Sequence, residues 1–226
     1  MSNATILMVE QMKNARKTRS GETKLNASTR RFLLFTLGFT MFSAIVYEVV
    51  WTRSLSLVFG TTVYALSAVL AAFLTGLALG ALLMGRIADT TKRPMWLLSR
   101  LQFAIGCAAV VLLPVFTLLR YPYVALHNVF GQTFGLALIL FVLTLLMLLI
   151  PTGAVGAAFT LVSKIYTRHV GEDIAEVYAV DTLFGGLGGF VAGFFLIPSV
   201  GLMLTTLLAA GLNISLGFMI SRRSRR

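Results

Sequence analysis

Long apolar runs separated by short polar breaks are the dominant pattern of this chain. The first run covers 32–59 and begins just after Arg30 and Arg31. A second covers 63–85, a third 95–119, a fifth 175–198 and a sixth 201–220. Each is long enough to cross a hydrocarbon core as a helix, which takes about 20 residues. The fourth run, 132–167, is too long for one straight crossing, because a helix of that length would extend about 54 Å. Pro151-Thr152-Gly153 interrupts it. Two readings stay open there: one kinked helix that projects beyond the membrane, or two short segments with Pro151 at a turn.

The breaks are short. Gly60-Thr61-Thr62 has room only for a tight turn, and 85–94 (GRIADTTKRP) reads as a polar hairpin. The segment 120–131 (RYPYVALHNVFG) reads as the largest loop, with Tyr121 and Tyr123 as interfacial residues around a proline. The pattern predicts an all-α, polytopic membrane helix bundle of about six transmembrane helices. Basic tails at 1–31 and 221–226 flank a membrane domain at 32–220.

Composition agrees with this picture. The chain of 226 residues is 58% hydrophobic and only 12% charged, against about 25% charged in a soluble domain. Its net charge of +11 raises nucleic acid as a partner, but the basic residues flank the apolar runs, as membrane orientation requires. No nucleic-acid partner is expected. With six crossings and both ends cytoplasmic, all 19 Lys and Arg except Arg53 and Arg120 fall inside or at the inner interface. The first run starts late and is too long for a cleaved signal, so it reads as a retained anchor in the cytoplasmic (inner) membrane. Cys107 is the only cysteine, and His127 and His169 have no ligand-spaced neighbours. Neither a metal nor another cofactor is expected.

Charge inside the spans is the candidate chemistry. Glu48 lies within the first run, where a carboxylate costs at least about 2.5–3.5 kcal/mol. It reads either as an interhelical hydrogen-bond partner or as a site for a cation or proton. Arg53, about one and a half turns further on, reads as an outer-interface side chain or a site residue. Asp181 is the second intramembrane acid, suited to binding a cation or to capping a helix contact. Tyr47, Trp51, Tyr64 and Tyr178 either pack or line a cation pocket. Two stripes of small residues predict close helix packing: Ala72, Gly76 and Gly80, then Gly185, Gly189 and Gly193. No Walker loop, nucleophile elbow or soluble acid–base pair is present.

Several of these motifs, in this order, resemble the membrane half of fused major-facilitator/spermidine-synthase-like proteins. They are Tyr47-Glu48-Val49-Val50-Trp51-Thr52-Arg53, the segment 57–65 (LVFGTTVYA), the segment 73–80 (FLTGLALG), Gly85-Arg86-Ile87-Ala88-Asp89 and Tyr178-Ala179-Val180-Asp181-Thr182-Leu183. The hairpin 85–93 also resembles the loop between the second and third helices of the major facilitator superfamily. The resemblance implies a half-transporter fold and a role beside a spermidine-synthase-like protein, moving or presenting a polyamine or other cationic small molecule. Glu48 and Asp181 would be counter-charges, with Tyr47, Trp51, Arg53 and Tyr178 around them. Two departures accompany it. Asp181 stands where many relatives have Asn, and no aminopropyltransferase domain follows the membrane part in this sequence. The chain is therefore not expected to be an enzyme itself. A soluble partner, or membership of a longer fusion, is implied, as is a homodimer or larger complex. The alternative is a membrane anchor or structural subunit that transports nothing.

Overall fold

A computed structural model describes residues 26–59, 63–131, 133–167 and 171–224. Residues 1–25, 60–62, 132, 168–170, 225 and 226, and the side chains of Tyr64 and Ala65, lie outside the described residues.

All regular structure among the described residues is helical. α1 is Ala27–Phe59, α2 Val63–Thr90, α3 Pro94–Leu118, α4 Arg120–Phe130, α5 Phe134–Tyr166, α6 Glu172–Val191 and α7 Ile197–Ser224. A π-helical turn, Ala192–Leu196, joins α6 to α7. The ends follow local chemistry. The Asn26 side chain accepts from the Ser28 N–H at 3.3 Å before α1, and Thr133 does the same for Leu136 N–H before α5. Pro94 sits in the first turn of α3, where its missing N–H is harmless. Glu172 and Asp173 occupy the first turn of α6, facing the positive end of its dipole.

Among the described residues, five helical stretches are long and apolar enough to cross a membrane. The last, Glu172–Ser224, is far too long for one crossing, and contacts show that it doubles back. Gly188 packs against the Phe42 backbone, while Asn213 bonds to Ser43. In a straight helix those two positions would be about 37 Å apart, yet they meet the same turn of α1. The reversal falls at Gly201, where φ is +77°, a conformation glycine adopts without strain. The protein is therefore a multi-pass membrane bundle with six membrane-length segments.

The fourth apolar run crosses once. α5 continues through Pro151, and the Thr152 hydroxyl donates to the Leu148 carbonyl at 2.6 Å, supplying a local donor beside the proline's missing one. The segment 120–131 is a correction to the sequence reading. It is largely helix (α4) rather than a loop. Pro122 falls in the first helical turn, where it is tolerated, and Tyr123 rests on Phe59 with ring centroids 5.3 Å apart.

Neighbouring segments keep a consistent register. Phe184 meets Gly38 and Gly188 meets Phe42, so α1 and α6 run parallel. Gly76 meets Thr152 and Leu77 meets Gly156, while Asp89 pairs with Lys164, so α2 and α5 also run parallel. Ser99 bonds to Gly217 and Gly106 meets Ala210, so α7 runs antiparallel to α3.

Candidate functional site

A polar seam lies where α1, α3 and α7 meet. Thr40, Ser43, Tyr47, Gln102 and Asn213 are all buried there. The two N–H protons of the Asn213 amide are shared among Ser43 Oγ at 2.8 Å, Tyr47 Oη at 3.0 Å and the Ala209 carbonyl at 3.0 Å. Gln102 Nε2 donates to Thr40 Oγ1 at 2.6 Å, and Thr40 donates in turn to the Thr36 carbonyl. Close backbone approach makes this reach possible. A Cβ on Gly106 would lie 2.9 Å from Ile214 and 3.0 Å from the Ala210 carbonyl.

Above the seam, Tyr47 stacks on Trp51 with centroids 5.4 Å apart and planes 9° apart. The two are one turn apart on α1, which puts them on one face. Trp51 then meets Phe73 of α2. Two buried polar atoms in this region, Trp51 Nε1 and Gln102 Oε1, have no hydrogen-bond partner among the described residues.

The carboxylates lie elsewhere. Glu48 is half-buried, next in sequence to Tyr47 but turned off its face by about 100°. No hydrogen bond or ion pair reaches it among the described residues. Asp181 is half-buried on α6, with Oδ1 buried and unpartnered. The parallel register of α1 and α6 puts Asp181 level with residue 35. Glu48 therefore stands about 20 Å further along the bundle, and the two acids do not converge on one site. Arg53 is exposed. Tyr178 is 57% exposed, with its ring on Phe159 of α5 and away from the Tyr47–Trp51 stack.

The glycines divide by their surroundings. Gly80 lies against the Gly153 backbone, where a Cβ would be 2.6 Å from its carbonyl carbon. Gly76 lies against Thr152. Gly185 and Gly189 touch only the Ile45 side chain, and Gly193 faces open space. Gly156 and Gly188 are as close as Gly80, against the backbones of Leu77 and Phe42.

Sequence reasoning passed over Asn213, Gln102, Ser43 and Thr40. The available signal was that Gln102 and Asn213 are side-chain amides well inside long apolar runs. A side-chain amide at membrane depth has to find a partner helix. Among the described residues no group of three or more His, Cys, Asp or Glu is placed to hold a metal. What the seam offers chemically is neutral hydrogen bonding between helices, with the two carboxyl groups level with its opposite ends and off its face.

In comparisons with known proteins, no family model matches the chain, and neither a curated protein nor a solved structure matches it.

Proposed function

We propose that the chain is a half-transporter-like membrane module in which Glu48 serves as counter-charge for a cationic small molecule, polyamines being the class the sequence resemblance suggests. One observation carries this reading: Glu48 has no partner among the described residues, although a carboxyl at membrane depth is costly unless paired. The neutral seam already supplies interhelical hydrogen bonds, so Glu48 is not needed as glue. Asp181, with its unpartnered Oδ1, is a second station at another depth. Tyr47 and Trp51, one and three residues away on α1, stack on each other on the adjoining, buried face of the helix. A six-helix half does not alternate access easily by itself, so a second copy is part of the proposal. A spermidine-synthase-like partner belongs to it through the motifs alone, and the inner-membrane location and cytoplasmic ends through the distribution of basic residues.

The test is uptake of labelled polyamine by proteoliposomes. Glu48→Gln keeps the side chain's shape and removes its charge, and flux is expected to fall about tenfold or more, the scale of losing one member of a desolvated charge pair. Asp181→Asn is expected to lower flux less. Unchanged flux in Glu48→Gln overturns the counter-charge role. The second reading, a membrane anchor, predicts no flux in the unaltered protein together with a stoichiometric soluble partner that copurifies in mild detergent.

A further inference from the structure

A cleft of about 740 Å³ opens where α3 begins and α7 ends, lined by Lys92, Arg93, Trp96, Ser221, Arg223 and Ser224 together with Pro94 and Met95. Three of these side chains are cationic and none is acidic. They converge from two segments distant in sequence. The N–H groups of the first α3 turn face the same end of the bundle and lack intrahelical acceptors. Two serines add hydroxyl groups. Cations, hydroxyls and helix N–H groups together suit an anion with several oxygens.

The surroundings decide which anion. Both helix ends close membrane-length apolar segments, so the cleft sits at the membrane–water boundary. Trp96, 44% exposed, is an interfacial residue type, and the Arg100 guanidinium lies 3.9 Å from its ring centroid. One turn into the membrane from Ser221, Phe218 and Met219 are exposed and offer an apolar surface to acyl chains. We propose that the cleft binds the phosphate-bearing headgroup of an acidic phospholipid, with its chains running down the exposed side of α7. This holds whether or not the chain transports anything.

The test uses the full chain in a neutral detergent. Short-chain phosphatidylglycerol, short-chain phosphatidylcholine and inorganic phosphate are titrated separately, with thermal protection and lipid retention in native mass spectrometry as readouts. Phosphatidylglycerol is expected to protect and to be retained at a concentration about tenfold lower than phosphatidylcholine. Lys92→Gln/Arg93→Gln is expected to abolish that preference. Arg120→Gln, which removes a cation at the other end of α3, is expected to keep it. Equal retention of the two lipids by the unaltered protein overturns the proposal, as does a preference that survives Lys92→Gln/Arg93→Gln. If inorganic phosphate alone protects at the phosphatidylglycerol concentration, the site takes free phosphate and the lipid assignment fails. The comparison of lipids on the unaltered protein decides even if the double variant folds poorly.

Discussion

Two seams of this bundle are built on opposite principles. The α1–α3–α7 seam is made of buried side chains that hydrogen-bond across helices, centred on Asn213 and Gln102. The α2–α5 seam has almost no such bonds. There Gly76, Gly80 and Gly156 let the two backbones touch, and an ion pair between Asp89 and Lys164 closes one end. Both answers suit a solvent in which apolar side chains gain nothing from leaving the lipid, so association has to come from packing or from hydrogen bonds. The glycine seam tolerates no added atoms at its contact points, whereas the polar seam, close at Gly106 as well, depends in addition on its donors.

The largest effect is expected at the glycine seam. A Cβ on Gly80 would lie 2.6 Å from the Gly153 carbonyl carbon and 2.7 Å from its Cα. Neither is the flexible end of a side chain, so the helices have to separate. Gly80→Val is expected to destabilise the bundle by about 3 kcal/mol, the upper part of the overpacking range, read by unfolding in a denaturing detergent titration. Gly193→Ala, where the added methyl meets nothing within 4 Å, is expected to change stability by less than about 0.5 kcal/mol. Equal effects of the two would mean that close backbone approach at Gly80 does not hold the α2–α5 seam.

The polar seam gives a smaller effect. Asn213→Ala removes donors to Ser43, Tyr47 and the Ala209 carbonyl. Interhelical hydrogen bonds in membranes average about 0.6 kcal/mol with a maximum near 1.7, so a loss of about 1–2 kcal/mol is expected in the same titration. A double-mutant cycle with Ser43→Ala isolates the pair. A coupling indistinguishable from zero would mean that this seam, too, is held by packing alone.

These two seams were not equally legible in the chain. Ala72, Gly76 and Gly80 announce a packing face by their spacing, because a small-residue stripe needs no knowledge of its partner. The same spacing at Gly185, Gly189 and Gly193 loses contact by the third glycine, since only the position of α1 decides which one is covered. Asn213 meets Ser43 across 170 residues of sequence, a pairing no local pattern encodes. The four-residue spacing of Tyr47 and Trp51 puts them on one face, but the distance between Glu48 and Asp181 depends on helix register and was hidden. The apolar runs themselves located the crossings, yet not which run would be central. α1 is the least apolar of the candidate spans and 61% of its membrane window is buried, whereas α5 is the most apolar and only 22% is buried. In lipid the most apolar helix can stay outside, and the one carrying Thr, Ser, Tyr and Glu is drawn in.

The smallest effect is expected where the glycine seam meets water. Lys164 and Asp89 form an ion pair, with side chains 40% and 71% exposed. An exposed pair of this kind contributes roughly 0.2–1 kcal/mol, because water and salt screen the attraction and two flexible side chains have to be held. Asp89→Asn is therefore expected to destabilise the α2–α5 seam by no more than about 1 kcal/mol, and the difference from the unaltered protein is expected to shrink as salt is raised. Lys164→Gln should give a matching loss, and the double variant should lose no more than either single change, since both remove the same contact. A loss from Asp89→Asn comparable to that of Gly80→Val, insensitive to salt, would show that the charge pair and not the glycines sets the approach of α2 to α5.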